Sequence, residues 1–120
     1  MQARIIRPDP ATEFFTEERC HILECLNAPD SPFSIAQARV EPGVITALHA
    51  LRGVDEVYYL LTGTGEMEVG NTLKASVGPG DVVCIPAGVS QRIRNTGMTD
   101  LVFLCVCTPR FEVACYEDLE

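Results

Sequence analysis

The sequence is short of positive charge, of long apolar runs and of helical periodicity, and each shortage closes off a class of protein. Nine Lys and Arg stand against 17 Asp and Glu, for a net charge of −8 and a pI near 4.6. The basic residues are scattered, so nothing clusters to neutralise phosphates, and nucleic acid is excluded as a partner. No stretch approaches the roughly 18 apolar residues that a membrane-crossing helix needs. The opening "MQARIIRPDP" lacks a hydrophobic signal core, which points to a soluble cytoplasmic protein. No CxxC pair of zinc-site spacing occurs among the cysteines at 20, 25, 84, 105, 107 and 115. Without an export signal they are expected to be reduced and packed as small core hydrophobes. Cys105 and Cys107, two apart in "LVFLCVC", should share one face of a strand and be badly placed to bridge one another.

What is present reads as β structure. The 120 residues suit one domain, here taken as 1–120. Glycine and proline punctuate the chain at short intervals, and the segments between them are rich in Val, Ile, Leu, Tyr and Thr. Strands are predicted at 20–26, 33–40, 44–51, 56–61, 65–69, 72–77, 81–85, 90–95 and 101–107. That number of short strands, with no long helix, makes an all-β sandwich or small barrel. An arm over 1–18 carries a helical turn near 11–18, and a tail over 108–120 lays Phe111, Val113 and Tyr116 back over the barrel. Alternation puts Met67 and Val69 on one face and Glu66 and Glu68 on the other, with Arg92 and Arg94 solvated and available to acidic neighbours across the sheet. "LVFLCVC" and "EVYYLL" are apolar on both faces and need cover on both, which suggests a homodimer.

Two spaced motifs carry the chemistry. Gly43, His49, Glu56 and Gly63 form the first, with Leu51 two residues beyond the histidine; Gly80, Pro86, Gly88 and Asn95 form the second, with Gln91 between them. In these spacings the chain resembles small single-domain members of the cupin superfamily, of the conserved-barrel type, with a degenerate metal motif. Leu51 and Gln91 stand where the family pattern has histidines. The resemblance implies a jelly-roll barrel of two antiparallel sheets, homodimerisation, and motif residues aimed into the barrel mouth.

Period-two alternation extends the pocket on its own terms. If His49 points inward, so do Ala47 and Leu51; if Glu56 does, so do Tyr58 and Leu60; Gln91 brings Ile93. The pocket is then mostly apolar with a few polar groups, the usual makeup of a small-molecule site. Tyr59 should face away, and His21 and Arg110 are read as peripheral.

The family's metal sites commonly use three histidines and a glutamate, and glutamine serves as a ligand in some of its zinc-dependent sugar-phosphate isomerases. His49, Glu56 and Gln91 are therefore candidate ligands for one divalent ion, Zn, Mn, Fe or Ni, with open positions for substrate. Tyr58 would assist proton transfer in an isomerase, epimerase, lyase or oxygenase acting on a small polar organic molecule such as a sugar derivative. The same residues equally describe a metal-free pocket that binds or senses an organic ligand without catalysis.

Overall fold

The computed structural model describes residues 1–120. Its strands are β1 (Phe14–Phe15), β2 (His21–Leu26), β3 (Ser34–Val40), β4 (His49–Leu51), β5 (Asp55–Thr62), β6 (Gly65–Val69), β7 (Leu73–Val77), β8 (Val82–Ile85), β9 (Gln91–Asn95), β10 (Leu101–Thr108) and β11 (Tyr116–Asp118). One sheet runs β1-β2-β3-β10-β5-β8 and the other β11-β4-β9-β6-β7. From β3 onward the chain passes back and forth between the sheets, so hairpin β6–β7 is the only stretch laid down twice in succession on one side. This is the jelly-roll barrel of two antiparallel sheets. No helix is long and apolar enough to cross a membrane.

Alternation along the strands builds the core. Val40, Leu60, Met67, Ile93, Leu101 and Phe103 are buried to 2% exposure or less, one or two from each inner strand. Outward positions on the same strands carry the charges: Glu68 sits opposite Arg92 in the β6–β9 register and accepts from its guanidinium, with Lys74 of β7 alongside. Tyr59 and Val82 face outward on β5 and β8 and stay exposed.

The motif glycines and asparagine hold turns. Gly63 has φ +85°, and a Cβ there would stand 2.7 Å from the Asp100 carbonyl oxygen, so a side chain is excluded twice over. Asn95 is buried; its Nδ2 donates to the carbonyls of Val40 at 2.9 Å and Thr99 at 2.8 Å, while its Oδ1 accepts from Gly97 N–H. It pins the end of β9 to the loop leading into β10.

Three expected elements differ. Between 44 and 51 only His49–Leu51 is a strand, preceded by an isolated bridge from Ile45 to Arg94. Thr46 Oγ1 accepts the Ile93 N–H at 3.0 Å, taking a place a carbonyl would fill, and Ala47 N–H turns away to Glu18 O at 3.1 Å. The helical turn near 11–18 is one 3-10 turn at Pro10–Thr12, followed by β1 paired to β2. The tail lays Phe111 and Tyr116 over the barrel, with β11 hydrogen-bonded to β4, Tyr116 opposite Leu51 and Asp118 opposite His49, whereas Val113 is 83% exposed. All six cysteines are free, and Cys84 is exposed rather than packed in the core, because its neighbours Val83 and Ile85 take the inward positions of β8.

Candidate functional site

A cavity of about 260 Å³ opens between the sheets at the end where the arm and tail cross the barrel. Strands β2, β3 and β10 supply an apolar wall that includes Phe103, Cys105 and Cys107. His49 and Leu51 enter from β4, Glu56 and Tyr58 from β5, and Phe111 and Tyr116 from the tail. Glu18 comes from the arm. Its neighbour Arg19 has φ 70°, a left-handed kink held by Arg19 Nε donating to Ile45 O at 2.9 Å and by the guanidinium pairing with Glu120.

Gln91 faces His49 across the β4–β9 pair but lies behind the cavity wall, 1% exposed. Its Nε2 donates to Glu56 Oε1 at 2.8 Å, and its Oε1 accepts from the Tyr58 hydroxyl at 2.6 Å. Cys107 Sγ–H donates to Glu56 Oε2 at 3.4 Å. Cys107, Glu56, Gln91 and Tyr58 thus form one buried chain in which each polar group has a partner, and no buried side-chain nitrogen or oxygen is left over. His49 is buried as well, with Nδ1 at 2.8 Å from the Ala47 carbonyl, which only an N–H can satisfy. That leaves Nε2 facing Glu18 Oε2 at 3.5 Å, while the ring stacks on Tyr116 at 5.0 Å between centroids.

Burial dominates the electrostatics. It raises the Glu56 carboxyl above its ordinary value, with the bonds from Gln91 and Cys107 and the nearby His49 offsetting only part. Glu18 moves the same way for the same reason, against the pull of His49. Burial, reinforced by the charge on Glu56, holds the Tyr58 hydroxyl well above its usual range, so it remains a donor to Gln91. Desolvation also keeps the cavity's thiols protonated: Cys20 is pushed up to about 11, and Cys105 and Cys107 upward too. Held protonated, they are poor nucleophiles, since attack needs the thiolate.

The site residues predicted from the motifs divide into two groups. His49, Leu51, Glu56 and Tyr58 line the cavity, and Gln91 joins them through hydrogen bonds. Leu60 and Ile93 are packed in the core with Met67, two residues further along β5 and β9 than the groups at the cavity. Ala47 is buried but Thr46 lines the cavity instead, because the irregular backbone before His49 breaks the period-two count.

As a metal centre this donor set does not fit. No three His, Cys, Asp or Glu side chains stand so as to share an ion. Gln91 turns its carbonyl to Tyr58 and its amide N–H to Glu56, so its one coordinating atom does not face the space that His49 and Glu56 line. That leaves two of the predicted ligands, His49 Nε2 and the Glu56 carboxyl, fewer protein donors than a metal centre ordinarily has, and the imidazole faces Glu18.

Comparison with known proteins agrees with the architecture. The cupin domain family model matches residues 36–107. The chain is 37% identical over 87 residues to an uncharacterized protein of Methanocaldococcus jannaschii, covering 72% of this chain and 66% of that relative. It is 35% identical over 89 residues to a Thermotoga maritima protein named as oxalate-binding, covering 74% and 73% of the two chains. A crystal structure of a Thermotoga maritima protein, described as a predicted oxalate decarboxylase, superposes with a TM-score of 0.78 at 28% identity over 88% of this chain and 99% of that one.

Proposed function

This chain belongs to the cupin family, and from that premise we propose that its barrel binds a small organic molecule directly, without a resident metal, as a binding or sensing module. The observation that carries the reading is the position of Gln91. The residue in the place of a family histidine spends its carbonyl on Tyr58 and its amide on Glu56, so it braces the cavity wall. His49, Glu56 and Tyr116 then serve as the polar and aromatic contacts for a ligand in a mostly apolar space.

The second reading is a metal-dependent enzyme using His49, Glu56 and Gln91, with Tyr58 assisting proton transfer. It draws on the motif spacing and on the oxalate named for the Thermotoga maritima relative, a small acid that a bound cation would help to hold. Thermal melts of chelator-treated protein with and without Zn²⁺, Mn²⁺, Fe²⁺ or Ni²⁺ separate the two. The metal-free reading expects no ion to shift the melting temperature in a His49-dependent way; a shift that vanishes in His49→Ala favours the enzyme.

We further place the protein as a cytoplasmic homodimer. Its free thiols suit a reducing compartment. The outward apolar residues of β5 and β8, Tyr59 and Val82 among them, suit burial against a second copy.

A further inference from the structure

We propose that the cavity selects an organic ammonium ion carried on a compact apolar body and rejects small carboxylates; this rests on the metal-free reading above. The enclosed space itself points to a ligand: about 260 Å³, walled mostly by apolar and aromatic side chains and large enough for a single small ring. Its charged groups give the sign. No Lys or Arg lines it, whereas Glu56 stands within, Glu18 at 27% side-chain exposure guards the entrance, and Glu24 lies on the rim. The one basic group, His49, has Nδ1 on a backbone carbonyl and Nε2 toward Glu18, so it is not directed at an incoming anion.

A carboxylate entering this space loses its hydration, finds no fixed cation, and is repelled by the charged forms of the buried acidic groups of Glu56 and Glu18. An ammonium finds the converse, because its charge favours the ionised form of Glu56 and Glu18 that burial alone disfavours. It brings three N–H donors, and each oxygen of Glu56 accepts only one bond within the protein, which leaves lone pairs for a ligand. Phe103, Phe111 and Tyr116 line the space and supply aromatic contacts for the apolar body.

The test is isothermal titration of chelator-treated protein with four probes: cyclohexylammonium, cyclohexanol, cyclohexanecarboxylate and oxalate. The first three share a ring and differ in the polar head. The ammonium should bind about tenfold or more tighter than the alcohol, and neither anion should saturate. Raising the salt should narrow the gap between ammonium and alcohol. Glu18→Gln, with its fold checked by thermal melt, should weaken the ammonium several-fold and leave the alcohol unchanged. Equal binding of ammonium and alcohol, or tighter binding of either anion, overturns the assignment while leaving a metal-free pocket in place. No binding of any probe sinks both.

Discussion

The Tyr58 hydroxyl donates to the side-chain carbonyl of Gln91 across 2.6 Å, joining β5 of one sheet to β9 of the other inside the barrel. The bond links the sheets through side chains where no backbone ladder can. It also fixes which way the Gln91 amide points, and so which of its atoms meets Glu56.

Tyr58→Phe removes that donor while keeping the ring that stacks on Phe103 at 4.3 Å. Gln91 Oε1 is then buried without a partner, a loss of about 1–3 kcal/mol. Urea denaturation should show the midpoint falling with the slope unchanged. An unchanged midpoint would mean that water or another donor replaces the hydroxyl.

On the metal-free reading, restoring the two family histidines should create a metal centre. Leu51 lines the cavity and is 3% exposed, and Gln91 sits opposite His49 in register. The double variant Leu51→His with Gln91→His offers three imidazoles beside Glu56, a nitrogen-rich set suited to Zn or Mn. After incubation with either metal and dialysis, it should retain about one ion per chain where the natural protein retains none. Equal retention by both would mean that the natural chain holds the ion without the two histidines, and would contradict the metal-free reading.

Stability should decline as pH rises above the ordinary carboxylate range. Burial raises Glu56 and Glu18 above 4.5, so the native state keeps protons that the unfolded chain releases. Their stabilising contribution is full below 4.5 and is lost as pH climbs through the folded values. Surface carboxylates run the other way: Arg19 holds Glu120 at about 2 and Arg39 lowers Glu13, so their contribution is lost only as pH falls below the usual range. Being exposed to solvent, these pairs contribute little. Melting temperature should therefore fall as pH is raised above the ordinary carboxylate range, and Glu56→Gln should flatten the slope. A melting temperature that rises instead contradicts the burial of these carboxylates.

Charge on the outer face of the larger sheet should separate a homodimer. Tyr59 is 46% and Val82 56% exposed, and the two are paired across β5 and β8. Changing both to Asp places like charges where a second copy would bury them, while the barrel interior is untouched. Sedimentation velocity should show a dimer for the natural chain and a monomer for the variant; a monomeric natural chain would remove the proposed interface.

Much of the barrel was legible because its signals are local. "GEMEV" alternates cleanly between turn glycines and is the strand Gly65–Val69, with Met67 and Val69 inward. The run "LVFLCVC" puts Phe103, Cys105 and Cys107 on one face, and all three line the cavity. What escaped the sequence depends on partners far away in the chain. The break before His49 exists because Thr46 lends its hydroxyl to Ile93, and no pattern within residues 44–51 announces it. Glu18 reaches the cavity through the backbone kink at Arg19 and the bond from Ala47, neither of which has a periodic signature. Tyr116, expected over the barrel, reaches the cavity itself through β11, a three-residue strand paired with β4. The spacing of His49, Glu56 and Gln91 pointed to a metal site; the fold does bring the three close together, but spacing is blind to which atom of an amide faces inward.

Elemental analysis of protein purified without an affinity tag or chelator tests most directly whether Gln91 has become a brace. A barrel whose polar cluster is satisfied by its own hydrogen bonds should carry far less than one transition-metal ion per chain, with the same background in His49→Ala. About one ion per chain in the natural protein, absent from His49→Ala, would contradict it and restore residue 91 or the entrance carboxylate as a ligand.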